Sequence, residues 1–217
     1  MDEIALIAKY PRLFHLTALG AWEGILRHGL LSTSALLDLF ELTGPRRAEV
    51  ETMRRPDLVL LEHARLGAAT VRDQKPLNDR KLAKCLTGGM TPTEWYALLN
   101  GRVFFWLDPR RVEVLRDARA YRGLRQTLIT LDTKGLIELH RDQILLTGMN
   151  TGTTSRMAFP RGRETFHSIS GYPFKEKRRV VELTVAYAVP DIERLALRAE
   201  AVGGAGHRLC HQNPVED

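Results

Sequence analysis

The chain has 217 residues, a length that fits one domain built around a single core. Apolar residues make up 44% and charged residues 27% of the chain, which excludes disordered, collagen-like and membrane-spanning classes of protein. Lysine and arginine number 32 against 26 aspartate and glutamate residues. The net charge of +6 favours an anionic partner such as a nucleic acid or a nucleotide.

Periodicity predicts short helices and strands along the whole chain. Helices are predicted at residues 4–10, 18–28, 33–55, 78–86, 92–99 and 109–119. Strands are predicted at residues 13–17, 58–63, 68–72, 102–107, 127–131 and 143–146, and within 178–190. Gly29 is expected to cap the second helix in a left-handed conformation, and Thr91 with Glu94 to form a capping box. We expect one domain over residues 1–202 and a flexible tail over 203–217.

Cysteine usage and the start of the chain indicate the compartment. Cys85 and Cys210 lie far apart without a CxxC spacing, so we expect neither a disulfide framework nor a zinc cage. The chain begins with acidic residues and with apolar positions at helical spacing, unlike a signal peptide, and no run of 18 apolar residues occurs. We therefore expect a cytoplasmic protein with no bound metal and no membrane partner.

Glu182 lies in the middle of an alternating apolar segment near the end of the chain. Val181 and Leu183 flank it and belong to the opposite face of the predicted strand. Burial of an unpaired carboxylate costs several kcal/mol. Either Glu182 therefore has a chemical role, or it lies at a sheet edge and pairs with Arg178 or Arg179.

Three blocks of sequence resemble one enzyme family. Residues 13–32, LFHLTALGAWEGILRHGLLS, resemble the opening of the DarT family of NAD-dependent ADP-ribosyltransferases, whose first strand carries His-x-Thr before a helix ending in a Gly-Leu-Leu-Ser-like turn. Residues 101–111, GRVFFWLDPRR, resemble the aromatic strand of DarT. Residues 180–195, VVELTVAYAVPDIERL, resemble the strand that carries its catalytic glutamate. The related tRNA 2'-phosphotransferases open similarly.

The resemblance implies an α+β fold in which ADP-ribosyltransferase-like split sheets surround an NAD cleft, with helices at the periphery. It implies NAD as a substrate, Glu182 as the catalytic carboxylate and His15 as a hydrogen-bond partner of the adenosine ribose, with Leu16 and Thr17 near the nicotinamide end. Cleavage of the nicotinamide–ribose bond builds positive charge on the ribose, and a carboxylate beside the 2'-hydroxyl stabilises that charge. A histidine satisfied by a backbone carbonyl is the structural alternative for His15.

Arg72 and Phe105 complete the predicted cofactor-binding residues. An arginine at the end of a strand, as Arg72 is expected to be, can hold a pyrophosphate through bidentate hydrogen bonds, and a surface ion pair is the alternative. In the aromatic strand, either Phe105 flanks the nicotinamide while Phe104 and Trp106 pack inside, or the reverse. Other arginines that could make the family's dinucleotide contact are Arg46, Arg54 and Arg55.

The acceptor is expected to be a nucleic acid, namely a base of single-stranded DNA or RNA. Residues 148–178 lose all periodicity, and irregular segments of this length often bind substrates. Asn150 and Arg161 in this segment are the expected substrate contacts, because their side chains can read a base edge or a phosphate. The resemblance also suggests a toxin–antitoxin pair, with an antitoxin or an ADP-ribosylhydrolase as partner. The alternatives are hydrolysis of NAD, removal of an RNA 2'-phosphate, or a catalytically silent nucleotide- or nucleic-acid-binding module.

Overall fold

A six-stranded antiparallel sheet lies at the centre of the structure, a computed structural model that describes residues 2–154, 159–173 and 179–204. The strands, in chain order, are β1 (Arg12–Ala18), β2 (Leu30–Leu31), β3 (Val59–His63), β4 (Gly67–Val71), β5 (Arg102–Trp106), β6 (Arg125–Asp132), β7 (Ile144–Thr147), β8 (Glu182–Ala186), β9 (Ala188–Val189) and β10 (Ala196–Gly203). The large sheet has the order β10-β6-β1-β5-β8-β7, while β2-β9 and β3-β4 form two-stranded ribbons.

Short helices accompany the sheet, so the fold class is α+β, as the sequence predicts. In chain order they are α1 (Glu3–Lys9), α2 (Trp22–His28), α3 (Thr33–Leu39), α4 (Gly44–Thr52), α5 (Asp79–Cys85), α6 (Pro92–Asn100), α7 (Pro109–Arg116), α8 (Thr133–His140) and α9 (Ile192–Leu195). Single 3-10 turns lie at Arg141–Gln143 and Arg163–Thr165. Within the described part of the chain, none of these helices has the length and apolar character needed to cross a membrane.

Local signals in the sequence account for the ends of two helices. α6 begins at the predicted capping box, in which Thr91 Oγ1 accepts a hydrogen bond from Glu94 N at 3.2 Å and Glu94 Oε2 accepts one from Thr91 N at 2.7 Å. α2 ends at Gly29, whose φ of +83° favours glycine. The capping box is confirmed, and Gly29 caps α2 with the expected positive φ but with an extended ψ of 169°.

The helix predicted over residues 33–55 is divided into α3 and α4. Glu41, between the two helices, and Gly44, the first residue of α4, adopt positive φ values, and this conformation interrupts a right-handed helix. Both short helices show helical spacing of their apolar residues. The sequence pattern alone therefore predicts one continuous helix and does not reveal the break.

α8 and β10 have no counterpart in the prediction. Gly135 lies inside α8 and obscures the helical pattern of the sequence there. The packing of α8 accounts for this glycine, because a Cβ at position 135 would lie only 2.9 Å from Leu195 Cδ2. β10 is an edge strand that pairs with β6 and ends at Gly203, one residue past the predicted domain boundary. Residues 205–217 of the predicted tail lie outside the described residues.

The main core lies between the sheet and helices α1, α8 and α9. Leu13, Leu131, Leu183 and Val185 contribute fully buried side chains from three strands, β1, β6 and β8. Burial of each such side chain stabilises the fold by roughly 1.5–3 kcal/mol. A second cluster around Trp95 joins α5 to α6. Packing of this kind keeps β1, β5 and β8 in fixed relative positions.

The large sheet nearly divides between β1 and β5. β1 pairs with β6 from Arg12 to Ala18, but it pairs with β5 only where Phe14 faces Trp106. Beyond that pair the halves β10-β6-β1 and β5-β8-β7 diverge. The sequence analysis expects split sheets, and the structure shows one hydrogen-bonded six-stranded sheet that separates at its centre. This separation opens the cleft described below.

Candidate functional site

A cleft of about 1860 Å³ opens where β1 and β5 diverge. Both halves of the sheet line it, with His15 and Thr17 from β1, Phe104 from β5 and Glu182 from β8. The β3-β4 ribbon and residues 148–153 form further parts of its wall. A pocket for one drug-sized ligand occupies roughly 300–1,000 Å³. The cleft therefore has room for a dinucleotide and part of a second substrate.

His15 bridges the gap between the two halves of the sheet. Its Nδ1 lies 2.9 Å from the carbonyl oxygen of Phe104. Because a carbonyl only accepts, Nδ1 carries the proton and Nε2 is an acceptor. Burial lowers the pKa of His15 to about 4, the Arg72 charge acts in the same direction, and the hydrogen bond to Phe104 opposes them. His15 is therefore uncharged at neutral pH. It makes the backbone-carbonyl contact of the structural alternative through Nδ1, and its Nε2 can accept a hydrogen bond.

Arg72 follows β4 directly and reaches β1. Its Nη1 donates to the carbonyl oxygen of Leu16 at 2.9 Å, and its guanidinium carbon lies 5.6 Å from the centre of the Tyr121 ring. Tyr121 in turn donates its hydroxyl to Asp73 Oδ1 at 2.6 Å. Arg72 and His15 line the same cleft, where the other N–H groups of the guanidinium can bind an anion.

The other candidate arginines make their contacts within the scaffold. Arg46 pairs with Glu49 at 2.6 Å on an exposed face of α4. Arg54 donates to a backbone carbonyl at 2.7 Å. Arg55 is buried and donates its Nε to the carbonyl oxygen of Arg72 at 3.0 Å. Arg55 therefore supports the backbone from which Arg72 enters the cleft.

Glu182 lies deep in the cleft, in register with Trp106 on β5 and Thr147 on β7, and is 3% exposed. Its Oε2 accepts hydrogen bonds from Thr151 Oγ1 at 2.8 Å and from Thr151 N at 3.2 Å, and Thr147 Oγ1 lies 3.2 Å from the same oxygen. Burial raises the pKa of Glu182 to about 7, and these contacts and the charge of Arg111 oppose that rise. Glu182 is thus a buried carboxyl that changes its charge near neutral pH.

The alternative of a solvated edge residue is wrong for Glu182. β8 lies between β5 and β7, and the side chain is buried there. Among the described residues, Arg179 is exposed and forms no ion pair with Glu182. Arg178 lies outside the described residues.

Arg161 is 1% exposed and uses its guanidinium inside the protein. Its Nη1 donates to the carbonyl oxygens of Thr151 at 3.2 Å and Thr153 at 2.9 Å, and its Nε donates to a third carbonyl at 3.2 Å. The guanidinium carbon lies 5.8 Å from the centre of the Trp95 ring. The expectation that Arg161 contacts a substrate is therefore corrected, because Arg161 holds the loop whose Thr151 contacts Glu182.

The aromatic strand β5 presents Phe104 and Trp106 to the cleft. Phe105 is 1% exposed and packs in the main core. The prediction of Phe105 as a cofactor contact is therefore wrong, and the reverse arrangement is present. Because neighbouring residues of a strand point to opposite faces, placing Phe105 in the core turns both of its neighbours to the cleft.

The remaining predicted contacts divide between main chain and side chain. The side chain of Leu16 is 5% exposed and packs in a small cluster, so Leu16 offers the cleft chiefly its backbone. Thr17 and Asn150 line the cleft. Asn150 Oδ1 accepts a hydrogen bond from Gly152 N at 3.0 Å, which fixes the orientation of its amide.

Thr147 and Thr151 contact Glu182, and no signal in the sequence singles them out for this role. They precede Glu182 by 35 and 31 residues. Only the pairing of β7 with β8, followed by the turn after β7, brings the two hydroxyls to the carboxylate. Threonines are common in irregular segments, so their type alone carries little information.

Comparison with known proteins shows the family to which the chain belongs. The model of a family described as a family of unknown function (DUF7002) matches residues 11–196, a span that contains every residue of the site above. A search of curated proteins gives no match. Within residues 2–154, 159–173 and 179–204, no group of three or more histidine, cysteine, aspartate or glutamate side chains is arranged to hold a metal ion.

Proposed function

We propose that this chain, which belongs to the DUF7002 family, is an NAD-dependent ADP-ribosyltransferase that modifies a base of single-stranded DNA or RNA, as a DarT-like toxin does. The observation that carries the proposal is the buried carboxylate of Glu182, held by Thr151 in a cleft that His15 and Arg72 also line. The separation of one antiparallel sheet into two halves around this cleft supports an ADP-ribosyltransferase-like fold.

Binding of NAD is assigned to residues on both halves of the sheet. His15 Nε2, an acceptor at neutral pH, receives a hydrogen bond from a ribose hydroxyl. Arg72 meets the pyrophosphate, since a guanidinium matches two phosphate oxygens at once. Phe104 and Trp106 offer aromatic surface to the nicotinamide ring.

Glu182 acts on the bond between ribose C1' and the nicotinamide nitrogen. When this bond breaks, the electron pair leaves with the nicotinamide, and positive charge develops on the ribose. The Glu182 carboxylate stabilises that charge from a fixed position, which requires no reorganisation during the reaction. The acceptor then attacks C1', and the same carboxylate accepts the proton that the acceptor loses. A pKa of about 7 suits a group that must be ionised first and protonated later.

A base held in a stack cannot reach C1' of a ribose inside a cleft, so the acceptor must be unpaired or leave its stack. The volume of about 1860 Å³ leaves space for such a base beside the dinucleotide. This argument favours a single strand over a duplex.

The deciding experiment incubates the protein with NAD alone and with single-stranded DNA, RNA or a protein mixture, and identifies the products by mass spectrometry. We expect a mass increase of one ADP-ribose on an oligonucleotide and release of nicotinamide. ADP-ribose in solution without an acceptor would instead indicate a hydrolase. Loss of a terminal or internal 2'-phosphate from RNA would indicate a phosphotransferase.

Glu182→Gln keeps the shape of the side chain and removes its charge. Transfer should fall by about 10²–10³-fold, while NAD affinity stays within a few-fold, because the charge is needed only in the transition state. Glu62→Gln, on the exposed side of the β3-β4 ribbon, is the matched control. Unchanged turnover in Glu182→Gln would overturn the assignment and favour a silent binding module.

A further inference from the structure

Residues 109–125 concentrate the positive charge of the chain. They contain six arginines, no lysine and two acidic residues, which leaves four net positive charges out of +6 for the whole chain. The segment comprises α7, the turn that follows it and the first residue of β6. The arginines are Arg110, Arg111, Arg116, Arg119, Arg122 and Arg125, and we name this segment the arginine strip.

Direct hydrogen bonds and ion pairs within the described part of the chain involve only one of these six side chains. Arg116 pairs with Asp117 at 2.7 Å. The other five form no hydrogen bond or ion pair with a described residue, and four of the five are exposed. Arginines that stabilise this fold behave differently, since Arg55 and Arg161 donate to backbone carbonyls. The strip therefore presents four exposed guanidinium groups, those of Arg110, Arg119, Arg122 and Arg125.

The strip begins beside the proposed catalytic carboxylate. Arg110 and Arg111 on the first turn of α7 line the same cleft as Glu182. Arg111 is close enough to Glu182 to lower the pKa of its carboxyl, against the larger effect of burial. The acidic groups near this end are Asp108, which caps α7 through a hydrogen bond to Arg110 N at 3.0 Å, and Glu113.

Exposed apolar side chains lie in the same cleft. Val114, one turn after Arg110 on α7, is 69% exposed, and Phe159 is 50% exposed. Proteins hold single-stranded nucleic acids by combining aromatic rings, on which bases stack, with cations, which meet the phosphates, and the lining of this cleft contains both. An acidic peptide would use the arginines and leave this apolar surface without a partner.

We propose that the arginine strip is the docking surface for a single-stranded nucleic acid, with Arg110 and Arg111 holding the phosphates next to the base that reaches Glu182. The inference rests on the proposed function for the identity of the reacting base. It deepens that function by naming the surface that selects the acceptor. Arginine suits this role because its planar guanidinium matches two phosphate oxygens, whatever the sequence of the strand.

The test measures binding in the absence of NAD, so that it does not depend on catalysis. Fluorescently labelled single-stranded DNA and RNA of equal length are titrated with the full chain at several NaCl concentrations, and anisotropy gives the affinity. For the Arg110→Gln/Arg111→Gln variant, we expect the slope of log affinity against log salt to become shallower by about 1.4, or 0.7 per lost phosphate contact. Affinity at physiological salt should fall about tenfold or more.

The matched control removes the same charge elsewhere. Arg80→Gln/Lys84→Gln changes two exposed cations on α5, neither of which lines the cleft, and it should bind with the wild-type salt slope. Thermal melting of both double variants checks that they fold, which their exposed and half-buried positions favour.

Each outcome decides a separate question. Equal binding by the two double variants, or equal binding of the wild type to poly-glutamate of the same length, overturns the docking surface. Wild-type protein that binds oligonucleotides through Arg110 and Arg111 but releases no nicotinamide from NAD retains the surface and overturns the proposed reaction. Transfer of ADP-ribose to the oligonucleotide with equal binding by both variants supports the reaction and rejects the surface.

Discussion

The charge state of Glu182 sets the pH range in which the proposed reaction can proceed. Burial raises the pKa of its carboxyl to about 7, and only the ionised form stabilises positive charge on the ribose. As the pH increases towards 7, nicotinamide release at saturating NAD should therefore rise about tenfold for each pH unit. Above pH 7 the rate should level off. A pH profile between 5 and 9 measures this directly. A flat profile would contradict a catalytic role for Glu182.

The same carboxyl makes the stability of the protein depend on pH. Its pKa is higher in the folded than in the unfolded chain, so the folded state loses stability as pH rises from 4.5 through 7. Glu182→Gln avoids this cost. The difference to measure is the free energy of unfolding of the variant minus that of the wild type. This difference should be more positive at pH 8.5 than at pH 5 by about 2 kcal/mol.

Urea denaturation at pH 5 and at pH 8.5 measures the difference in the free energy of unfolding between Glu182→Gln and the wild type. Glu62→Gln, a change at an exposed glutamate on β3, serves as the control and should show the same difference from wild type at both values. If Glu182→Gln destabilises the protein equally at pH 5 and pH 8.5, the carboxyl does not bear the cost of burial that we assign to it.

At the scale of elements, Arg161 connects the loop after β7 to the α5–α6 layer. Its contacts with the carbonyls of Thr151 and Thr153 keep Thr151 in place to donate to Glu182. Arg161→Gln should lower stability by about 2–4 kcal/mol, because it leaves buried carbonyls without donors. It should also shift the midpoint of the pH–activity profile upward, since the Thr151 hydrogen bonds lower the pKa of Glu182.

The shift of the midpoint separates a positioning role from a purely structural one. Arg163→Gln removes the same charge from an exposed position two residues away and should leave the profile unchanged. Arg161→Lys keeps the charge with fewer donors and provides a second variant if Arg161→Gln does not fold. A destabilised but active Arg161 variant with the wild-type midpoint would show that Arg161 supports the fold alone.

Gly29 joins α2 to the β2-β9 ribbon at a position that only glycine can occupy without strain. Its φ is +83°, and a Cβ there would lie 2.7 Å from Pro190 Cα. Gly29→Ala should therefore lower the free energy of unfolding by about 3 kcal/mol. Gly24→Ala, in the middle of α2 with open space around it, should instead raise it by up to about 1 kcal/mol. Chemical denaturation of the two variants compares them, and equal effects would reject the close contact with Pro190.

At the scale of the whole molecule, the proposed NAD contacts come from both halves of a sheet that share one residue pair. Ligand binding to both halves should stabilise the folded state by about 2.7 kcal/mol at a concentration 100 times the dissociation constant. We expect the melting temperature to rise with NAD, and the rise to shrink in His15→Ala. His63→Ala, at the end of β3 outside the cleft lining, should keep the full rise. A full rise in His15→Ala would identify His15 as a structural histidine.

Short-range patterns in the sequence predict much of the fold. The capping box at Thr91, the glycine at position 29 and the alternation around Glu182 each depend on residues within a few positions of one another. Such signals set where helices and strands begin and end, because backbone conformation is decided largely by near neighbours. Local sequence segments likewise indicate the candidate residues His15, Arg72 and Glu182, each in a segment of its own. The structure places all three on one cleft.

The tertiary structure alone decided which face of each element meets the cleft. Alternation in β5 divides its aromatic residues into two faces, but the positions of β1 and β8 determine that Phe105 enters the core. Burial of Arg161 and the contact of Thr151 with Glu182 likewise join residues far apart in the chain. These contacts depend on how distant segments pack, and a pattern with a period of two or 3.6 residues carries no information about the neighbour that a face will meet.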